Sequence, residues 1–166
     1  MNKTIFVDRD DTICPDRKYL DNVEGLELLE GAGEGLRRMK ELGYKIALIT
    51  NQSGIGRGYF PESMVYKQHA RLEELLSEYD VGFDTIRHCP HTPDDGCGCR
   101  KPQPGMLVAA GRELDTDFSS SWMIGNSEAD VEAGHAVGCQ SIQVGEDLNL
   151  TGAAEIIAEY ESKHGS

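Results

Sequence analysis

The chain has 166 residues, 39% of them hydrophobic and 27% charged, which is the make-up of a single soluble globular domain over residues 1–166 with a full core. Its net charge of −13 argues against a nucleic-acid partner, because phosphate backbones are bound by clustered Lys and Arg. No apolar run approaches the roughly 20 residues of a membrane helix, and Met1-Asn2-Lys3 leads into a strand and not a secretion signal, so a cytoplasmic monomer acting on a small molecule, with no membrane partner, is expected.

Thr4 to Val7 is an apolar, β-prone run without alternation, the pattern of a strand buried on both faces. It runs into Asp8-Arg9-Asp10-Asp11-Thr12-Ile13. If the backbone stays extended, Asp8 and Asp10 point one way and Arg9 the other. Two carboxylates forced together suit Mg²⁺, and with the ion masking their repulsion one can attack phosphorus while the other moves a proton. A polar turn after a strand is the plain alternative.

Thr12 to Leu29, broken by Pro15 and Gly25, reads as a loop with a short extended piece near Leu26 to Leu29. Gly31 to Leu42 reads as a helix with Leu36, Met39 and Leu42 on one face and Gly43 as its C-cap. Tyr44 to Ile49 is a second buried strand, ending at Thr50-Asn51-Gln52-Ser53-Gly54-Ile55-Gly56-Arg57-Gly58. Pro61 opens a helix to about Tyr79. Phe83 to Arg87 is a short strand and Cys89 to Cys99 a loop. Pro104 starts a helix through Leu114. Trp122 to Ile124 is a strand ending in Gly125-Asn126-Ser127, Glu128 to Val137 a helix, Gln140 to Val144 the last strand, and Ala153 to Tyr160 a terminal helix. Alternating strands and helices predict an α/β fold, a Rossmann-like doubly wound and mostly parallel sheet.

Three strand ends carry polar clusters: Asp8 with Asp10, Thr50 with Asn51, and Asn126 with Asp130 four residues on. This fold class gathers such ends at one crevice. The glycine-rich turn after Thr50 offers backbone N–H groups to phosphate oxygens, and Arg100-Lys101 offers positive charge. Asp16, Arg17, Lys18 and Tyr19 follow the first strand closely enough to line the mouth.

Cys89, His91, Cys97 and Cys99 form two C/H-x-C pairs in a loop almost without apolar residues. Three thiols and an imidazole suit tetrahedral zinc, and with all four ligands from protein the site should be structural. Coincidental reduced cysteines are the alternative. His88 is out of phase, and is expected at the surface or as a substitute ligand. Cys14 and Cys139 read as a loop thiol and a small buried residue, Trp122 as core, and His69, His135 and His164 as exposed or at the core edge.

Together these motifs resemble the haloacid dehalogenase superfamily of phosphatases. Its D-x-D-x-T motif matches Asp8 to Thr12, its strand-end Ser or Thr matches Thr50, its basic residue matches Lys101, and its acidic pair matches Asn126 to Asp130 imperfectly. The chain is more similar to the subgroup of heptose bisphosphate phosphatases and histidinol-phosphatase domains, through Asp8 to Ile13, Thr50 to Gly58, the Cys/His loop and Arg100-Lys101-Pro102. The resemblance implies no large cap domain. It implies Asp8 as the nucleophile forming an aspartyl phosphate and Asp10 as the proton carrier. Thr50 and Lys101 would hold the phosphoryl oxygens. Arg100, Asp16 to Tyr19, and Asn51, Gln52 and Ser53 would contact the substrate. Catalytic Mg²⁺ would be held by Asp8, the Asp10 carbonyl and Asn126, and structural Zn²⁺ by the Cys/His loop. Two positions depart from the subgroup: Asp11 where relatives usually have Gly, and Asn126-Ser127 where they usually begin with Asp. Heptose 1,7-bisphosphate is the expected substrate, because Arg100 to Leu107 is more like the heptose enzymes. Histidinol phosphate is the alternative, and a zinc-stapled module without catalysis is a third reading.

Overall fold

The structure is a computed structural model that describes residues 1–164. Its first strand, β1 (Thr4–Val7), is buried at every position and lies at the centre of a five-stranded sheet. β2 (Lys45–Asn51) and β3 (Thr85–Cys89) add on one side, β4 (Trp122–Gly125) and β5 (Gln140–Gln143) on the other, all parallel. The order β3-β2-β1-β4-β5 puts the reversal of winding between β1 and β4, and open α/β sheets bind ligands at the carboxyl ends beside such a point.

Strand alternation separates two cores. Ile5, Val7, Ile46 and Leu48 face one way, under α1 (Ala32–Glu41), α5 (Leu150–His164) and the buried Leu72 and Leu76 of α2 (Glu62–Ser77). Phe6, Ala47, Ile49 and Met123 face the other way, under Leu107 and Ala110 of α3 (Gly105–Glu113) and Ala133 of α4 (Glu128–Ala136). On α1, Leu36 and Met39 are fully buried, whereas Leu42 only borders the core. Gly35 lets α1 lie close on α5: a Cβ there would stand 2.5 Å from the Leu150 carbonyl oxygen.

The expected α/β architecture is present, and the differences are local. β3 begins at Thr85, because the Asp84 carboxylate takes the Ile46 N–H and register pairing starts only at Ala47 with Thr85. Leu26 to Leu29 forms no strand; Leu29 N–H to the Ile13 carbonyl, Leu26 N–H to the Val23 carbonyl and the Arg17–Glu27 pair tie it down. Pro61 is the N-cap of α2, one place before its first helical residue. α5 starts earlier and ends later than expected, since Asn149 accepts from Gly152 N–H and Leu150 packs into the core. A short 3₁₀ turn, Phe118–Ser120, capped by Asp117, precedes β4. No helix among the described residues is long and apolar enough to cross a membrane.

Candidate active site

β1 ends at Val7, so the extended backbone expected through Asp10 does not continue. The chain turns at once. The Arg9 carbonyl accepts from the N–H groups of Thr12, Ile13 and Cys14, and Asp11 N–H closes on the Cys14 carbonyl at 2.7 Å. Asp11 sits at φ 61°, the left-handed region, which explains why glycine suits this position. Aspartate tolerates it better than most residues, and the Asp11 carboxylate accepts from Asp16 N–H at 2.9 Å. The turn is therefore closed despite the missing glycine. It also sets Asp10 beside Arg9 and not opposite to it: Arg9 Nε donates to Asp10 Oδ1 at 3.0 Å.

The chemical centre is a buried ion cluster at the carboxyl ends of β1, β2 and β4. Lys101 Nζ donates to Asp8 Oδ1 at 2.8 Å, to Asp130 Oδ1 at 2.6 Å and to the Ile49 carbonyl at 3.0 Å. An ammonium has three N–H donors, and all three are taken. The direct hold on phosphoryl oxygens expected of Lys101 thus finds no free donor here; its charge acts at Asp8. Burial alone would lower the Lys101 pKa, but Asp8 and Asp130 outweigh it and hold the ammonium above its ordinary value. Burial pushes the Asp8 carboxyl up to about 6, against the lowering pull of Lys101.

Asp130 has a second task that the sequence motif did not reveal. Its other oxygen accepts from Ser127 N–H and Oγ, while Ser127 Oγ accepts from Asp130 N–H, a capping box that starts α4. Gly125 makes the approach possible, since a Cβ there would meet Asp130 Oδ2 at 2.2 Å. The unusual Ser127 is accordingly a helix cap.

Asn126 stands over Asp8. One terminal atom of its amide lies 3.0 Å from Asp8 Oδ2 and 3.3 Å from the Asp10 carbonyl oxygen. With nitrogen at that place the amide donates to both. With oxygen there, three oxygens converge with no proton between them, which is the surrounding a hard cation takes. The donor set therefore fits Mg²⁺.

Asp16, Arg17, Lys18 and Tyr19 line a cavity of about 230 Å³ together with Asn51, Gln52 and Ser53, and Arg9 and Asp10 line it too. Not all of them are free. The Arg17 guanidinium is bound to Glu27 at 2.6 Å and to the Gly25 carbonyl. The Asn51 amide brackets the Lys101 backbone, accepting from its N–H at 3.1 Å and donating to its carbonyl. Gln52 Nε2 bridges Asp10 Oδ2 at 3.0 Å and the buried Thr50 hydroxyl at 2.9 Å. Arg100 stands outside this lining, with its guanidinium on the His91 carbonyl. Arg57 lies over the Tyr19 ring at 5.4 Å, and Tyr19 packs edge-on against Tyr59.

The Cys/His loop closes one side of the site. Cys89 ends β3, paired with Asn51, and its carbonyl accepts from Gln52 N–H. The donor atoms of Cys89, His91, Cys97 and Cys99 lie within 4.8 Å of one another. A tetrahedron with Zn–S of about 2.3 Å has S···S edges of about 3.8 Å. Cys89–Cys97 at 3.6 Å, Cys89–His91 at 3.4 Å and His91–Cys99 at 3.2 Å come near it, and the Cys89–Cys99 edge is drawn in to 2.9 Å. The set suits tetrahedral zinc. His88 is not in it; its Nε2 bonds Glu62 at 2.6 Å. His69 is buried in the core and not at its edge, and Cys14 is buried too.

Comparison with known proteins agrees with this geometry. Residues 98–162 match the family model described as HAD-hydrolase-like. The D-glycero-β-D-manno-heptose-1,7-bisphosphate 7-phosphatase of Haemophilus influenzae is 38% identical over 96% of this chain and 91% of its own length. The protein of the same name from Pseudomonas aeruginosa is 40% identical over 84% of this chain and 79% of its own. Among solved structures, the D,D-heptose 1,7-bisphosphate phosphatase of B. bronchiseptica, crystallised with magnesium and phosphate, superposes with a TM-score of 0.86 at 28% identity, covering 95% of this chain and 99% of that one. The chain is a phosphatase of the haloacid dehalogenase superfamily and belongs to the family of the heptose-1,7-bisphosphate 7-phosphatases.

Proposed function

We propose that this phosphatase removes the 7-phosphate of D-glycero-β-D-manno-heptose 1,7-bisphosphate through an aspartyl phosphate on Asp8. The observation that carries the mechanism is the Lys101–Asp8 pair at 2.8 Å, buried at the carboxyl ends of the central strands. Lys101 holds one Asp8 oxygen in place and balances its charge. Asp8 attacks phosphorus as the bond to the sugar oxygen breaks, and Asp10 gives that oxygen a proton. In the second half Asp10 takes a proton from water as the water oxygen attacks phosphorus, which frees Asp8 and inorganic phosphate. Asp8 Oδ2, the Asp10 carbonyl and the Asn126 amide oxygen would hold Mg²⁺. When bound, the ion supplies positive charge that screens the phosphate from the attacking carboxylate. Cys89, His91, Cys97 and Cys99 would hold a structural Zn²⁺ that shapes the segment carrying Lys101.

The choice of substrate rests on the relatives' activity and on Lys18 and Arg57, cations at the exposed mouth that suit a second phosphate. The test is phosphate release with and without EDTA from the heptose bisphosphate and from histidinol phosphate. The expected kcat/KM ratio favours the bisphosphate by at least about tenfold, equivalent to about 1.4 kcal/mol of transition-state binding. An equal preference for histidinol phosphate would overturn the substrate and leave the chemistry standing.

A further inference from the structure

Arg9 lies between the two motif aspartates, and the chemistry above gives it no task. Its side chain is only 2% exposed, which is unusual for a guanidinium and costly unless it is paired, and it lines the cavity beside Asp10. Arg9 Nε donates to Asp10 Oδ1 at 3.0 Å and Nη1 to Gln68 Oε1 at 2.8 Å. Nη1 also faces His69 Nε2 at 3.4 Å. Burial, then Arg9, then His88 push His69 down to about 3, so the ring is neutral and adds no second positive charge. Among the described residues the only carboxylate on Arg9 is Asp10, which stays 27% exposed and faces the cavity.

The chain of contacts continues outward. Gln68, fully buried on α2, turns its amide to the Leu20 carbonyl at 2.9 Å and the Asn22 carbonyl at 3.1 Å. These carbonyls follow Lys18 and Tyr19, two successive residues at φ 58° and 59°. Side chains rarely adopt that conformation and keep it only where the surroundings hold it. One buried arginine thus joins the carboxylate that moves the proton to the strained segment forming the cavity mouth.

We propose that Arg9 is a positioning residue for Asp10: its guanidinium aims the carboxylate at the leaving oxygen and, through Gln68, ties that aim to the mouth segment. The proposal rests on Asp10 as the proton carrier. A mispositioned acid harms a reaction in proportion to how much the leaving group needs the proton. An alkoxide needs it; a nitrophenolate departs almost without it. General acid catalysis is worth about 10² to 10⁴-fold in such steps.

The experiment measures KM and the single-turnover rate of alcohol or phenol release, the half-reaction in which Asp10 acts as the acid, with p-nitrophenyl phosphate and with a primary-alkyl sugar phosphate, for Arg9→Met, Arg9→Lys, Gln68→Met and Asp10→Asn beside the unaltered chain. For Arg9→Met the expected loss in that release rate is at least about 100-fold on the sugar phosphate and under about 5-fold on the aryl ester, with KM within about 3-fold for both. Arg9→Lys keeps the charge but not the fork, and should recover part of the sugar-phosphate rate. Gln68→Met should lose less, still on the sugar phosphate only. Equal losses on both esters in Arg9→Lys and Gln68→Met, with Asp10→Asn selective, would overturn the positioning role; these two variants decide the matter if Arg9→Met does not fold. If Asp10→Asn itself shows no selectivity between the esters, the proton-carrier reading fails instead.

Discussion

The strand-end site and the Cys/His loop are both suited to a metal, but they are assembled in opposite ways. The strand-end site joins residues far apart in the chain: Lys101 meets Asp8 across 93 positions and Asp130 across 29. What brings them together is the packed sheet, whose central strands are almost wholly buried. The loop takes its donors from residues 89–99, where Pro, Gly and Asp predominate and only the cysteines touch the core. Geometry imposed by a core persists without the ion, because the core does not depend on it. Geometry imposed by ligands on a polar loop needs the ion. The two regions are nonetheless joined, since Arg100 and Lys101 follow Cys99 directly and Arg100 N–H lies on Cys97 Sγ at 3.4 Å.

The largest test of this contrast is Asp8→Asn. It should lower kcat on every ester by at least about 10⁴-fold, about 5 kcal/mol in the barrier, with a melting temperature changed by only a few degrees. Undiminished turnover would remove Asp8 as nucleophile. Lys101→Met tests the buried pair as structure. It leaves Asp8 and Asp130 facing each other without their cation, and stability measured by urea unfolding should fall by about 3–5 kcal/mol. A loss below about 1 kcal/mol would show that the core tolerates the two acids without it.

The loop should respond differently. Elemental analysis is expected to find one zinc per chain, and Cys97→Ala should cost about 2–3 kcal/mol, the scale of a cross-link closing a short loop. Mg²⁺ affinity at the strand ends should stay within about threefold, by calorimetric titration. Metal-free protein with an unchanged melting temperature would break the distinction between the regions.

Asn126→Asp sharpens the comparison at the strand ends alone. It adds a formal charge 3.0 Å from Asp8 Oδ2, and should tighten Mg²⁺ by about tenfold, about 1.4 kcal/mol. Weaker binding would mean Asn126 is not a ligand.

The last test concerns pH. His69 is held neutral, its pKa pushed down to about 3 by burial first and then by Arg9 and His88, against an unfolded value near 6.5. A depressed base stabilises fully above its unfolded pKa. As pH falls below 6.5 the unfolded chain takes a proton that the folded chain refuses until about 3. Stability should therefore drop by about 1 kcal/mol per pH unit below about 6. His69→Gln, which keeps an acceptor for Arg9, should flatten that slope in urea titrations at pH 6.5, 5.5 and 4.5. An unchanged slope would place the proton uptake elsewhere.

Much of this was legible in local pattern. The uninterrupted apolar runs at Thr4 to Val7 and Ile46 to Ile49 marked strands buried on both faces, and the C/H-x-C pairs marked the loop, because donors two apart in an extended chain fall on one side. Asp8, Thr50 and Lys101 were legible through motif resemblance. The positions of Arg17, Asn51 and Arg100 were not. Each is a polar side chain near the site whose bonding capacity is taken by a neighbour: Glu27, the Lys101 backbone and the His91 carbonyl. Asp10 misled for a different reason. Alternation assumes a continuing strand, and the chain turns just after Val7.

By itself, then, the sequence determined the α/β alternation, the buried strands and the chemistry that each cluster has available. These follow from periodicity and residue type, which act over a few neighbouring positions. Only the tertiary structure decided which charges pair. Lys101 goes to Asp8 and Asp130, Arg9 turns from solvent to Asp10, and Gln68 and His69 leave the helix surface for the buried side of α2. The physical reason is desolvation: a buried charge must find its partner among whatever groups the packed core brings near, and that set is defined by three-dimensional proximity, not by spacing along the chain.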